Sequence, residues 1–264
     1  MKKDISNFYF YNKLKISSII PLIIKLRRNK YDLVVDLFDN PSSTSTTLLK
    51  LLNSRLKLGF EKENKSIYTH IVPLLNKAEN HIIRRINQLA NPFAIDPSMI
   101  DFPFIESYSI RIKNQIGINL FGSSESKFIG EENAIEFLQE LDNKYPHLKF
   151  IIYYPKDRKS QAQYISQNSN TKLSDETKTF NDYINEISKC QYLITADTSA
   201  VHLASYFKIP CLVFYQEVNY LKFGIPWYPF KVDYQSVEVP SLKNIDLKLA
   251  IDKFDRLIKD NSEH

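Results

Sequence analysis

Short apolar runs alternate with amphipathic stretches along this chain, once before and once after a proline-rich segment. In the first series, Lys15 to Lys30 carries Ile16, Ile19, Ile20, Ile23 and Ile24 ahead of a basic end, the pattern of a helix with cations at its carboxyl terminus. Tyr31 to Phe38 (YDLVVDLF) reads as a buried strand. A turn with Pro41 follows, then a helix over Ser43 to Arg55, opened by Ser and Thr and carrying Leu48, Leu49, Leu51 and Leu52. Lys57 to Phe60 reads as a short strand, and Asn76 to Ala90 as an amphipathic helix through Ile82, Ile83, Ile86 and Leu89.

Asn91 to Glu106 holds three prolines and no periodicity, which marks it as a linker. The alternation then restarts. Gln115 to Phe121, Leu148 to Tyr154, Tyr192 to Ala196 and Pro210 to Tyr215 read as strands. Gly130 to Tyr145, Thr179 to Lys189, Ser199 to Phe207 and Leu247 to Ile258 read as helices. The polar stretch Ser160 to Ser174 reads as a surface loop. Strands separated by helices imply parallel sheets covered on both faces. The expected architecture is α/β, with two Rossmann-like domains over 1–106 and 107–264, the first one short, meeting at a cleft near the linker.

Composition narrows the function. Hydrophobic content of 43% and charged content of 25% fit a soluble globular protein. Through Ser107 there are 16 Lys and Arg against 10 Asp and Glu, a net +6; the remainder carries 19 against 20, a net −1. The positive excess thus lies wholly in the N-terminal part, which points to an anionic partner there or to a solvated basic surface. Cys190 and Cys211 lack metal or redox spacing and read as small core hydrophobes. Met1 to Phe10 is polar and aromatic rather than a basic stub before an apolar run. The longest apolar stretch, Ile19 to Ile24, is far short of the roughly 20 residues that a membrane span needs. A cytoplasmic location is expected, with contact to a membrane surface allowed.

The segment most informative for chemistry is Tyr192 to Tyr215 (YLITADTSAVHLASYFKIPCLVFY). A buried strand ends at Ala196, and Asp197, Thr198 and Ser199 turn into a helix. Ligands of open α/β sheets bind beyond the carboxyl ends of strands. A helix amino terminus there offers free N–H groups and a positive dipole end to an anion such as a diphosphate. Asp197 or Thr198 either meets such a ligand or caps the helix. His202 taken alone reads as a packed histidine. Other chemistries find no support: G-x-x-x-x-G-K-[ST] and G-x-G-x-x-G are absent, and only 5 glycines are present. The five histidines have no zinc spacing, and no D-x-D stands at a strand end. Aromatic residues do not alternate with basic ones, so nucleic acid is not an expected partner.

ADTSAVHLASYFKIPCLVFY resembles the hallmark segment of glycosyltransferase family 9, the ADP-heptose:lipopolysaccharide heptosyltransferases, which typically reads D-T-G-x-x-H-x-A-A-x-x-x-x-P before an apolar strand. Asp197, Thr198, His202, Leu203, Ala204 and Pro210 fall on it in order and spacing, and Ser199 stands where the family has glycine. Ile116 to Leu141 is similar to the family's first strand, turn and helix in the donor domain. Trp227 and Pro229 fit its W-x-P, and Tyr31 to Phe60 looks like its N-terminal-domain segment. The resemblance runs from about Tyr31 to the end of the chain.

The resemblance implies a GT-B-like fold and metal-independent, inverting transfer from a nucleotide-diphosphate sugar of the ADP-heptose type, with no cofactor. The acceptor would be a lipopolysaccharide or lipooligosaccharide core on the cytoplasmic face of the inner membrane. Ser123, Ser124 and Lys127, with Asp197, Thr198, Ser199 and His202, would hold the donor. Typical members open with a strand, a G-D turn and a helix, and the Asp of that turn is taken as the base. That unit is expected to be absent here, which leaves Asp36 and Asp39, at the end of the first strand, as substitute bases. The alternative is a donor-binding remnant without transfer.

Overall fold

The computed structural model describes residues 7, 9–11, 16–101, 111–122 and 124–262. The chain divides into two compact units, Met1–Ile100 and Asp101–His264. The division falls inside the proline-rich stretch, whose residues 102–106 lie outside the described residues.

The first unit holds α1 (Ile16–Arg27), β1 (Tyr31–Val35), α2 (Ser43–Leu51), β2 (Ser54–Phe60), β3 (His70–Val72) and α3 (Ile82–Asn87). Its three strands pair in parallel in the order β1-β2-β3. Leu58, Phe60, Val72 and Leu89 form the core against Leu33, Leu74 and Ile86. Burying each such side chain is worth about 1.5–3 kcal/mol, so this small core is modest. Ser42 caps α2 by accepting the Ser45 N–H at 3.3 Å, and its short side chain explains why the helix begins there.

Two expectations for this unit need correction. The helix expected over Asn76 to Ala90 is far shorter. The Asn76 side chain captures the Ala78 N–H at 3.0 Å, so the chain turns, and α3 starts only after His81, whose ring accepts the Ile83 N–H. Beyond α3 the chain tightens into a 3-10 helix over Gln88–Phe93 that contains Pro92, followed by a 3-10 turn at Pro97–Met99. The first part of the expected linker is therefore ordered structure.

The second unit runs β4 (Gln115–Asn119), α4 (Glu131–Lys144), β5 (Lys149–Ile152), α5 (Lys159–Asn168), β6 (Lys172–Leu173), α6 (Phe180–Ser188), β7 (Tyr192–Ala196), α7 (Ser199–Phe207), β8 (Cys211–Gln216), α8 (Tyr220–Phe223), β9 (Tyr234–Val239) and α9 (Leu247–Ser262). All six strands are parallel, in the order β6-β5-β4-β7-β8-β9. Counted within the unit this is 3-2-1-4-5-6, the doubly wound order, and its switch point lies between β4 and β7.

Both central strands are buried along their whole length. β7 sends Tyr192 and Ile194 to one face, against Phe137, Leu138 and Leu141 of α4 and Phe254 of α9. It sends Leu193 to the other face, against Ala200, Val201 and Ala204 of α7. This two-sided burial is why β7 reads as a mostly apolar run rather than an alternating one, with Thr195 as its one hydroxyl residue besides Tyr192. The stretch Ser160 to Ser174, expected as a loop, instead forms α5 and β6. Ala162 and Ile165 point inward at 0% and 1% exposure and anchor α5 to the core. β9, which no sequence signal marked, extends the sheet beyond β8.

Candidate functional site

Beyond the carboxyl ends of β4 and β7 lies a cavity of about 770 Å³ in the second unit. The strands deliver Asn119 and Asp197 to it, the turn after β4 delivers Gly122 and Lys127, and α7 contributes Ser199 and His202. Tyr154, Phe180, Tyr183 and Trp227 form an aromatic wall.

The polar floor is tied across the switch point. Asn119 Nδ2 donates to Thr198 Oγ1 at 3.0 Å and to the Tyr183 hydroxyl at 2.9 Å. Thr198 is also the N-cap of α7, accepting the Ala200 N–H at 3.2 Å. Lys127 reaches over from the β4 side: its ammonium pairs with the Asp197 carboxylate at 2.6 Å and donates to the Asp197 carbonyl at 3.2 Å. The two side chains keep 34% and 36% exposure, so an incoming anion can meet the ammonium without unpacking the core. Gly122 makes this placement possible, because a Cβ there would lie 2.3 Å from the Lys127 Cβ. Burial holds the His202 imidazole below the usual histidine range and so favours the neutral ring, outweighing the opposing pull of the Asp197 charge towards the protonated form. That ring lies 5.5 Å from the Trp227 indole, centroid to centroid. Burial also pushes the Tyr183 phenol up, so it stays protonated and able to donate.

Of the donor-site residues expected from sequence, Lys127, Asp197, Thr198, Ser199 and His202 share this cavity. Ser124 is exposed, pairs with the Ser126 hydroxyl at 2.9 Å and is not part of the cavity wall. Ser123 lies outside the described residues. Asn119, Phe180 and Tyr183 were missed. Asn119 could have been found as the polar residue at the carboxyl end of a buried strand; the aromatic pair on α6 carries no comparable signal.

Asp36 and Asp39 belong to the first unit. Asp36 is 4% exposed and saturated with donors: Lys62 Nζ at 3.0 Å, the Tyr68 hydroxyl at 2.6 Å, the Ser45 hydroxyl at 3.0 Å and the Phe38 N–H at 3.1 Å. Burial alone would raise its pKa. The hydrogen bonds from Tyr68, Lys62 and Phe38, with the Lys62 charge, outweigh that and hold it below the usual carboxylate range. Such a group is a poor proton acceptor, and its position is structural. Asp39 pairs with Arg85 at 2.6 Å and keeps 19% side-chain exposure. Among the described residues no three His, Cys, Asp or Glu side chains cluster as a cation site, and no helix is long and apolar enough to cross a membrane.

A six-stranded doubly wound unit and a smaller three-stranded parallel α/β unit in one chain make a GT-B-like α/β fold. The solved structures it resembles are of that kind. Escherichia coli heptosyltransferase WaaC with ADP is 12% identical with a TM-score of 0.74, the match covering 93% of this chain and 79% of that one. The glycosyl transferase family 9 protein from Veillonella parvula is 13% identical with a TM-score of 0.74 over the same shares. E. coli ADP-heptose lipopolysaccharide heptosyltransferase II is 12% identical with a TM-score of 0.64, covering 94% and 82%. At this identity the likeness is one of fold: the chain has the α/β fold of the family 9 heptosyltransferases. No protein-family model and no curated protein sequence matches it.

Proposed function

We propose that this chain is a glycosyltransferase that binds a nucleoside-diphosphate sugar in the β4/β7 cavity and passes the sugar to a lipopolysaccharide or lipooligosaccharide core. The observation that carries the reading is the convergence of Lys127, Asn119, Thr198 and the amino end of α7 at the switch point, beside an aromatic wall. A diphosphate suits the cation, the polar side chains and the helix dipole, and a nucleoside suits the aromatic rings. The fold likeness to WaaC, solved with ADP and with ADP-2-deoxy-2-fluoro heptose, supports an ADP-heptose type of donor.

In this reading Lys127 exchanges Asp197 for a phosphate oxygen and offsets the charge that builds on the leaving diphosphate, which lets transfer proceed without a metal or other cofactor. Inverting transfer needs a base for the acceptor hydroxyl. Asp39 is the better candidate, because Asp36 is fully engaged. The basic N-terminal part suits a phosphorylated acceptor at the cytoplasmic face of the inner membrane. The test is ADP release from ADP-heptose in the presence of a core acceptor. Slow transfer is expected, and Asp39→Asn should lower kcat roughly 10²-fold or more, the scale of general-base catalysis, with donor affinity unchanged. Transfer at undiminished rate in Asp39→Asn would remove Asp39 from the mechanism.

A further inference from the structure

The Trp227 wall of the cavity stands on a long excursion between β8 and β9, whose only regular element is the four-residue α8. Such a segment has little to hold it unless side chains tie it down. Two of the side-chain ties run to one carboxylate, beside others made by Tyr215, Ser205 and Lys208. Glu238 of β9 accepts from the Tyr220 hydroxyl at 2.5 Å through one oxygen. Through the other it accepts from the Tyr228 hydroxyl at 2.9 Å and the Ser236 hydroxyl at 3.3 Å. Tyr220 opens the excursion's helix and Tyr228 directly follows Trp227, so Glu238 clamps both ends of the stretch between them. Behind it, the Tyr215 hydroxyl donates to the Trp227 carbonyl at 3.2 Å, and the Tyr228 ring stacks on Tyr234 at 5.8 Å.

We propose that Glu238 is a positioning residue for the donor cavity: by holding Tyr220 and Tyr228 it fixes the Trp227 indole beside His202. Glu238 does not line the cavity, so its effect runs through Trp227 alone. The inference rests on the reading of the cavity as the donor site, but its structural half can be tested without a ligand.

Trp227 is the single tryptophan of the chain, so intrinsic fluorescence reports this wall directly. Acrylamide quenching would be measured on the full chain for wild type, Glu238→Gln, Tyr228→Phe and Tyr220→Phe, followed by titration with ADP. Glu238→Gln keeps the shape but loses the second accepting oxygen, and each phenylalanine keeps the ring while removing one hydroxyl. Glu238→Gln should raise the quenching constant roughly two-fold by loosening the segment, each Phe variant less, with thermal unfolding unchanged. ADP affinity should fall roughly 3–10-fold in Glu238→Gln, because the wall must be reordered on binding. Unchanged quenching in Glu238→Gln and in both Phe variants would overturn the proposal. So would a quenching change that leaves ADP affinity unaltered. If wild type fails to bind ADP, the donor reading fails, and quenching still decides whether Glu238 fixes Trp227.

Discussion

At the scale of single residues, the two halves of the molecule use charge differently. Lys127 and Asp197 form a pair with solvent access, which a ligand can open; Lys62 and Asp36, at 3% and 2% side-chain exposure, form a pair that nothing can reach. Breaking a buried pair from one side leaves the other charge uncompensated, at a cost of about 3–5 kcal/mol. Asp36→Asn should therefore destabilise the first unit by about 3 kcal/mol at neutral pH, read as faster hydrogen exchange of the β1 and β2 amides. Because the folded Asp36 pKa is lowered, its contribution is present above the unfolded value near about 4 and is lost as pH falls through the lower folded value. The gap between wild type and Asp36→Asn should then close as the pH is taken from 5 towards 2. A gap that stays constant across that range would show that the pair contributes nothing. None of this was visible in the sequence, where Asp36 and Asp39 are alike as carboxylates near a strand end. Only the fold, by bringing Lys62 and Tyr68 onto Asp36, tells them apart.

At the scale of elements, what the sequence revealed depended on how many faces each element buries. β4, β7 and β8 are covered on both sides and announce themselves as mostly apolar runs. The turn from β7 into α7 was legible because a strand end, a hydroxyl cap and an apolar helix fall in one short segment. β9 lies at the sheet's edge and buries only Val237 completely, so YQSVEV looks like loop. α5 is ten residues long with two fully buried side chains, Ala162 and Ile165, and its Ser, Gln and Asn content hid the helix. The two readings of that stretch differ in a measurable way. Ile165→Ala should cost about 2–5 kcal/mol if the side chain fills the core as observed. An exposed loop residue would change stability by less than about 0.5 kcal/mol. Denaturant unfolding followed through Trp227, in the same unit, separates the two.

At the scale of the whole molecule, a six-stranded doubly wound unit and a three-stranded parallel unit share one chain, and the candidate donor chemistry is confined to the larger. Its switch point gathers a cation, a capped helix and an aromatic wall within a single unit, so the full chain should bind a nucleoside diphosphate without an acceptor present. The direct measurement is calorimetric titration of the full chain with ADP, in wild type and Lys127→Ala. Saturable one-to-one binding is expected in wild type. It should weaken in Lys127→Ala by about 1.5–3 kcal/mol, the range for a hydrogen bond to a charged group. Absence of binding in wild type, or binding indifferent to Lys127, would contradict the assignment of this cavity as a nucleotide-sugar site.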